Sequence, residues 1–306
     1  LQNPVQLRLG GLAAAGGAWT GTVQEGMAVR ILTGAPIPRG AEAVISDEFT
    51  NLEGGIVTVT NASEPGRNIL RRGSAVAVGQ RIVATGELLQ PTQVGLLAAA
   101  GHGRLSVFRR PRVAIVATGD EVVAPGSPLA EGKLYASNLV TLASWCARYG
   151  MAVTTAVVRD SEDQIRAQLL ACLQDHDAIL TSGGAWTGER DLVMRLLDEL
   201  GWEKNYHRVR IGPGKAVGFG LWQGKLVFCL PGGPSSNHMA FLQLALPALH
   251  RLEGRAQPGL PVQIARLAQP IQGQKSWTQF VHGRLEMGST GPVFHPLRMK
   301  SRLQEM

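Results

Sequence analysis

Beyond the first third of the chain, short and mainly apolar segments alternate with longer segments of helical periodicity. The segment RVAIVATG at 112–119 precedes SNLVTLASWCARYG at 137–150, a predicted helix with Ser137 as its N-cap and Gly150 as its stop. Two further pairs repeat this order, MAVTTAVV before SEDQIRAQLLACLQDH and DAILTS before ERDLVMRLLDELG. Strands this apolar are typical of a mainly parallel sheet with right-handed crossovers and helices on both faces. The sequence therefore predicts a central, doubly wound αβα sheet domain over residues 109–256.

Both flanks of this domain have the composition of β structure. Residues 1–77 contain short runs such as GIVTVT, broken by Gly and Pro, which predicts an N-terminal β domain. Residues 78–108 form a connector segment with one short helix, TQVGLLAAA, that starts after Pro91. Residues 257–306 predict a small C-terminal β domain, with VQIARLAQPI and TQFVHGRLEM as strand candidates and an incomplete end. The expected fold class is multidomain α/β plus β.

The composition of the chain limits the kinds of ligand and partner that we expect. The 306 residues are 44% hydrophobic and 17% charged, which fits two or three small folded domains. The net charge of +7 is scattered and aromatic residues make up only 5%, so we expect small anionic ligands rather than nucleic acid. No apolar run approaches the ~20 residues of a membrane span, so no membrane partner is expected. Three isolated cysteines without a CxxC pair indicate neither a disulfide framework nor a zinc site, and they favour a cytoplasmic protein.

Four glycine-rich loops follow predicted strands. They are Thr118–Glu121, Thr181–Gly184, Gly212–Lys215 and Pro231–Ser236. Ligands of open α/β sheets bind at the carboxyl ends of the strands, and backbone amides at a helix start suit phosphate. Lys215 adds a positive charge, and Asp120, Glu121 and Asp191 are candidate Mg²⁺ ligands beside a phosphate. Any one of these loops is also typical of a plain turn, so only the four together indicate an anion-binding cleft.

Familiar catalytic motifs are missing from these loops. Gly214-Lys215 has neither the leading glycine of a Walker A loop nor its following Ser/Thr, and no GxGxxG follows the first strand. The stretch at 233–237 lacks the last glycine of a nucleophile elbow. Cys229 lies in an apolar strand and is expected in the core. These observations exclude a P-loop NTPase, and they argue against a dinucleotide enzyme and a cysteine nucleophile.

Six segments, read in order, resemble the molybdopterin molybdenumtransferase family, which includes the MoeA proteins and the E domain of gephyrin. The segments are ILTGAPIPRGAEAVI, GRNILRRGS, VAIVATGDEVVAPGSPLAEGKLYASN, AILTSGGAWTGERDLV, GPGKAVGFG and LPGGPSSN. They span nearly the whole chain. The resemblance implies a molybdopterin-binding-like α/β domain flanked by small β domains. It also implies a homodimer whose cleft lies between the α/β domain of one subunit and the β domains of the other.

The resemblance implies an activity and its participants. Family members insert molybdate into adenylylated molybdopterin in a Mg²⁺-dependent step that releases AMP. The implied partners are a molybdopterin adenylyltransferase upstream and molybdoenzyme apo-proteins, or their chaperones, downstream.

The family's functional residues fall on defined positions of this sequence. Thr33, Glu121, Asp191 and Lys215 would be catalytic: Glu121 and Asp191 as Mg²⁺ ligands, Lys215 against pyrophosphate charge, and Thr33 as a group that positions substrate across the dimer. Ser301 matches a C-terminal serine of an oxyanion site. The implied substrate-binding set is Thr118, Gly119, Asp120, Asn138, Ser182, Gly183, Gly184, Gly214, Pro231, Gly232, Ser235 and Ser301.

Several positions depart from the family pattern. The departures are Ala75 and Ala136 in place of carboxylates, Gly212 in place of lysine, Gly233 in place of asparagine, Trp277 in place of an arginine, and Trp186 in place of a small serine. Loss of carboxylates removes charge that a bound cation needs. The sequence therefore leaves two alternatives beside the enzyme: a weakly active or non-catalytic paralogue that binds molybdopterin or molybdenum cofactor for storage or delivery, and a scaffold protein.

Overall fold

The computed structural model describes residues 4–183 and 192–297. By its internal contacts the chain divides into two compact units, Leu1–Ile82 and Val83–Met306. No helix in the described ranges is long and apolar enough to cross a bilayer.

The N-terminal unit is a small sheet of order β2-β1-β4-β3. Its strands are β1 (Val5–Ala13), β2 (Met27–Ile31), β3 (Thr50–Glu53) and β4 (Ile56–Val59), with a short 3-10 turn at Asp47–Phe49. Strands β1 and β2 are parallel, and the other neighbours are antiparallel. Gly54 and Gly55 join β3 to β4 with φ values of 57° and 84°, the left-handed geometry that two-residue hairpins require. The predicted β character of GIVTVT is confirmed.

The second unit begins with a helix and then builds a larger sheet. Its helices are α1 (Pro91–Ala99), α2 (Ser137–Arg148), α3 (Glu162–Asp175), α4 (Leu192–Glu199), α5 (Pro234–Ala240) and α6 (Leu246–Leu252). A π-helical stretch, Phe241–Ala245, joins α5 to α6. Its strands are β5 (Arg112–Thr118), β6 (Val122–Val123), β7 (Leu134–Tyr135), β8 (Ala152–Val158), β9 (Ala178–Ser182), β10 (Glu203–His207), β11 (Ile211–Gly212), β12 (Gly218–Trp222), β13 (Lys225–Leu230), β14 (Arg266–Leu267), β15 (Thr278–Gln279), β16 (Gly283–Gly288) and β17 (Gly291–Pro296).

The central sheet confirms the predicted doubly wound architecture. Within the described residues its strand order is β10-β12-β13-β9-β5-β8. Strands β13, β9, β5 and β8 are mutually parallel, and β12 and β10 add an antiparallel edge. Alternate residues of β5 enter two separate cores: Val113 and Ile115 pack with α2, α5 and α6, whereas Ala114 and Val116 pack with α3 and α4. The domain is therefore a three-layer αβα sandwich.

Two local predictions were wrong. Ala136, not Ser137, is the N-cap of α2, and it makes no side-chain capping hydrogen bond. The Ala136 N–H donates to the Val123 carbonyl at 2.9 Å, so pairing beside β6 and β7 holds the backbone until the helix begins at Ser137. In VQIARLAQPI only Arg266 and Leu267 form a strand, with β17 as the partner. Strand β17 was not predicted, because its sequence, GPVFHP, has no clear alternation of apolar and polar residues.

Candidate active site

Three parallel strands end at the same level of the sheet. The pairing register sets Ser182 of β9 opposite Leu230 of β13 on one side and Ala117 of β5 on the other. The loops that leave these strands therefore emerge at one edge. This is the edge at which open α/β sheets bind ligands.

A network of side-chain amides joins these loops to two helices. The Asn138 Nδ2 group, in the first turn of α2, donates to Ser182 Oγ at 3.1 Å and to the Gly232 carbonyl at 2.8 Å. The Asn237 Nδ2 group, on α5, donates to Ser182 Oγ at 3.0 Å and to the Pro231 carbonyl at 2.8 Å. The Asn138–Ser182–Asn237 network thus fixes both helix starts against the loops after β9 and β13.

One buried atom of this network has no hydrogen-bond partner among the described residues. Asn138 Oδ1 is buried and accepts no hydrogen bond from the described residues. Buried amide oxygens in native proteins nearly always accept a hydrogen bond, so this oxygen requires a donor from outside the described residues. A ligand that carries an N–H or O–H group would supply it.

Glycines allow the loops to approach each other closely. Gly183 has φ of 103°, and a Cβ there would lie 2.7 Å from the Thr118 carbonyl oxygen. Gly119 has φ of 145°, and a Cβ there would lie 2.7 Å from Glu121 Oε2. The Glu121 carboxylate therefore lies against Gly119 in the loop after β5, where both Glu121 and Asp120 are exposed.

The predicted Mg²⁺ ligands are only partly described. No group of three or more His, Cys, Asp or Glu residues within residues 4–183 and 192–297 has the arrangement of a metal site. Mg²⁺ commonly keeps several waters and uses one or two carboxylates together with substrate phosphates. Glu121 with Asp191 would be such a donor set, but Asp191 lies outside the described residues.

The loop that carries Lys215 is anchored on α5. Gly214 has φ of 112°, and a Cβ there would lie 3.3 Å from the Ala240 nitrogen and 3.4 Å from the Ser236 carbonyl oxygen. The Lys215 side chain is exposed, and its Nζ lies 5.4 Å from the centroid of the Trp277 indole.

The structure brings together most of the described residues predicted for substrate binding. The residues that meet at the strand-end edge are Thr118, Gly119, Asn138, Ser182, Gly183, Pro231 and Gly232. Ser235 is buried in the first turn of α5. Thr33 lies in an exposed turn of the N-terminal unit. The predicted residues Gly184, Asp191 and Ser301, and also Trp186, fall outside the described residues.

Sequence reasoning missed Asn237. Its side chain is 1% exposed and donates two hydrogen bonds, as Asn138 does from the opposite helix. The sequence places Asn237 near the start of a predicted apolar helix. A polar side chain that is buried there needs hydrogen-bond partners inside the protein.

The fold and the site together define an α/β protein in which glycine loops and side-chain amides meet at the carboxyl edge of a parallel sheet. Residues 114–251 match a probable molybdopterin binding domain, and residues 2–101 match the MoeA N-terminal region, domains I and II. Molybdopterin molybdenumtransferase 2 of Mycobacterium tuberculosis is 34% identical over 91% of this chain and 70% of its own length. The molybdopterin molybdenumtransferase of Haemophilus influenzae is 32% identical over 88% of this chain and 67% of its own.

Two solved structures of related proteins are also similar to this chain. A molybdopterin biosynthesis MoeA protein from Pyrococcus horikoshii superposes with a TM-score of 0.79 at 32% identity, over 99% of this chain and 74% of that one. A second MoeA structure from the same organism superposes with a TM-score of 0.77 at 27% identity, over 98% and 73% of the two chains. The chain belongs to the molybdopterin molybdenumtransferase family, a family of transferases in molybdenum cofactor biosynthesis.

Proposed function

We propose that this protein inserts molybdate into adenylylated molybdopterin and releases AMP, as a cytoplasmic enzyme of molybdenum cofactor biosynthesis. The observation that carries the proposal is the Asn138–Ser182–Asn237 network, in which Asn138 Oδ1 accepts no hydrogen bond from residues 4–183 and 192–297. A pterin ring presents N–H donors along one edge, which suit a buried amide oxygen. The three strand ends supply the cleft in which such a ring would lie.

The phosphate groups of the substrate would bind beside this network. Gly232 and Gly233 are exposed and lead directly into α5, whose first backbone amides have no partners within the helix. Lys215 adds a positive charge from the loop that packs on the same helix. In our proposal these groups stabilise the charge of the pyrophosphate link, the usual role of electrostatics in phosphoryl chemistry.

Glu121 and Asp191 would hold Mg²⁺ beside the substrate phosphates. When bound, the ion would neutralise charge that develops on the leaving phosphate. The protein's own part would be to hold the two carboxylates and to orient the phosphates through Lys215 and the backbone amides after β13.

Two further predicted residues, Thr33 and Ser301, have their proposed roles in a homodimer. We propose a homodimer in which Thr33 of one subunit contacts substrate held by the α/β domain of the other, and in which Ser301 contributes to an oxyanion site. A molybdopterin adenylyltransferase would supply the substrate. Molybdoenzyme apo-proteins, or their chaperones, would take the product.

The test is release of AMP from adenylylated molybdopterin by the purified protein. We expect release that depends on both molybdate and Mg²⁺, and a large loss of rate in Lys215→Met. A matched control is Lys275→Met, which removes an exposed lysine of the C-terminal segment. Tight substrate binding with no AMP above a no-protein sample would contradict the enzyme and favour a protein that stores or delivers the pterin.

A further inference from the structure

We propose that Trp277 positions Lys215, by holding its ammonium group over the indole face without neutralising its charge. The ammonium keeps its positive charge, which can then interact with the phosphates of the substrate. This inference rests on the proposed function for the identity of the anion. Trp277 would be a positioning residue, because it would act through Lys215.

The backbone of the lysine loop is fixed from one side by α5. Gly214 is buried at a φ of 112°, and a Cβ there would lie 3.1 Å from Ile211 Cδ1 and 3.3 Å from the Ala240 nitrogen, so the loop packs tightly at this point. The Lys215 carbonyl accepts a hydrogen bond from the Val209 N–H at 3.1 Å. The Cα of Lys215 therefore has a set position, and only its flexible side chain needs to be oriented.

The backbone beside Trp277 is fixed to the start of the same loop. Strand β15 pairs in parallel with β11, which carries Gly212. The Thr278 N–H donates to the Arg210 carbonyl at 2.9 Å, and the Phe280 N–H donates to the Gly212 carbonyl at 2.9 Å. Trp277 is half-buried, and its Cε3 atom lies 3.9 Å from where a Cβ on Gly212 would be. The indole thus lies against the loop that presents Lys215.

Lys215 contacts an aromatic ring, as Arg148 and Arg255 also do, but unlike five other cations it has no carboxylate partner within the described ranges. Arg109, Arg166, Arg195, Lys204 and Arg255 each pair with a carboxylate, whereas Lys215 forms no ion pair within the described ranges. Its described contact is the indole at 5.4 Å. A carboxylate would cancel the lysine charge and compete with a phosphate. A ring quadrupole attracts the ammonium and leaves its full charge available.

The contact itself can be tested without any ligand. A lysine ammonium over an indole has its Hε protons shifted upfield by the ring current, and lysine-labelled protein reports this in ¹H,¹³C spectra. We expect one upfield Hε signal, assigned by its loss in Lys215→Met, that also disappears in Trp277→Leu and persists in Lys275→Met. Absence of an upfield Lys215 signal in the wild-type protein would overturn the inference.

The functional consequence can be tested by a double-mutant cycle on the affinity for adenylylated molybdopterin. An exposed cation–π contact accounts for roughly a two- to fivefold change in an equilibrium constant. Trp277→Leu should therefore raise Kd by about that factor, while Trp277→Phe should retain most of the affinity. In the Lys215→Met background, Trp277→Leu should have no further effect.

The outcomes separate this inference from the proposed function. An equal loss from Trp277→Leu with and without Lys215 would mean that the indole contacts substrate directly, and it would overturn the positioning role. A lower unfolding midpoint with unchanged Kd would also overturn it, because Trp277 would then only support the fold. Failure of the wild-type protein to bind adenylylated molybdopterin would contradict the proposed function, while the upfield Lys215 signal would still stand.

Discussion

Asn237 shows how much of the site depends on single buried polar groups. Its amide donates to Ser182 and to the Pro231 carbonyl, and neither interaction was foreseen from the sequence. Asn138, by contrast, was predicted from its place in the family pattern. The sequence indicates which residue types stand near the strand ends, but the depth at which each amide is buried depends on how α5 packs against α2. That packing is a tertiary property.

Replacement of Asn237 by alanine should destabilise the protein. It leaves the buried Pro231 carbonyl without this side-chain donor and removes one of the two hydrogen bonds to Ser182. We expect the free energy of unfolding to fall by about 1–3 kcal/mol in chemical denaturation. Ser236→Ala, at a half-buried neighbour on the same helix, should change it by less than about 0.5 kcal/mol. Equal effects of the two substitutions would argue against the network.

Two glycines of the cleft should differ sharply in their tolerance of a methyl group. A Cβ on Gly183 would lie 2.7 Å from the Thr118 carbonyl oxygen at a φ of 103°, whereas the nearest described atom to a Cβ on Gly232 would be the Gly183 Cα at 3.8 Å. Gly183→Ala should destabilise the protein by about 1–3 kcal/mol and weaken substrate binding. Gly232→Ala should be stable to within about 0.5 kcal/mol. Thermal unfolding of the two variants checks this, and equal midpoints would contradict the close approach.

At the scale of elements, periodicity predicted the central domain well and the C-terminal segment poorly. Strands β5, β8 and β9 and helices α1, α2 and α3 lie where apolar runs and helical patterns place them. The C-terminal strands are short, and Val262 and Ile264 are 92% and 91% exposed, so apolar residues there do not report burial. The N-cap of α2 was misplaced because strand pairing, rather than a capping side chain, sets where that helix begins.

One ion pair ties the segment before β5 to the start of β9. Both oxygens of Asp177 accept from the Arg109 guanidinium, at 2.6 and 2.7 Å, and the Arg112 N–H donates to Oδ2 at 2.8 Å. The Arg109 hydrogen bonds, with the Arg112 N–H, lower the pKa of Asp177 from the usual 3.8 to about 2. A carboxyl whose pKa is depressed on folding stabilises the protein above its unfolded pKa. That stabilisation is lost as pH falls through the folded value.

The ion pair therefore predicts a defined pH dependence. As pH falls from about 4 to about 2, the wild-type free energy of unfolding should drop by more than that of Asp177→Asn, because the variant has no carboxyl to protonate there. Urea titrations at several pH values measure the difference. Asp175→Asn, at the exposed last residue of α3, is the matched control and should retain the wild-type slope. Parallel pH profiles for wild type and Asp177→Asn would contradict this role.

At the scale of the whole molecule, the family could be predicted from the sequence, since six motifs in order span the chain and the relatives confirm them. The assignment of metal ligands could not be completed in the same way. Glu121 lies in the cleft loop, but a donor set is defined by the distance between carboxylates, and that distance depends on tertiary placement. The Lys215–Trp277 contact also depends on tertiary placement, because the two residues are 62 positions apart in the sequence.

The proposed dimer predicts complementation between two inactive variants. If Thr33 of one subunit serves the cleft of the other, a mixed dimer of Thr33→Ala and Lys215→Met contains one intact site and one doubly altered site. Random exchange of subunits should then restore about a quarter of the wild-type rate of AMP release. The measurement is the rate after the purified variants are mixed and allowed to exchange. No recovery in dimers shown to have exchanged would place Thr33 and Lys215 in the same subunit's site.

Molybdenum insertion itself is tested most directly by a single-turnover reaction. Excess protein is mixed with adenylylated molybdopterin, molybdate and Mg²⁺, and the AMP released and the molybdenum bound to pterin are quantified together. We predict equal amounts of the two products, and AMP at the level of a no-protein sample when molybdate is omitted. Substrate that stays bound and intact in the complete reaction, with no AMP and no molybdenum–pterin product, would contradict the proposed activity.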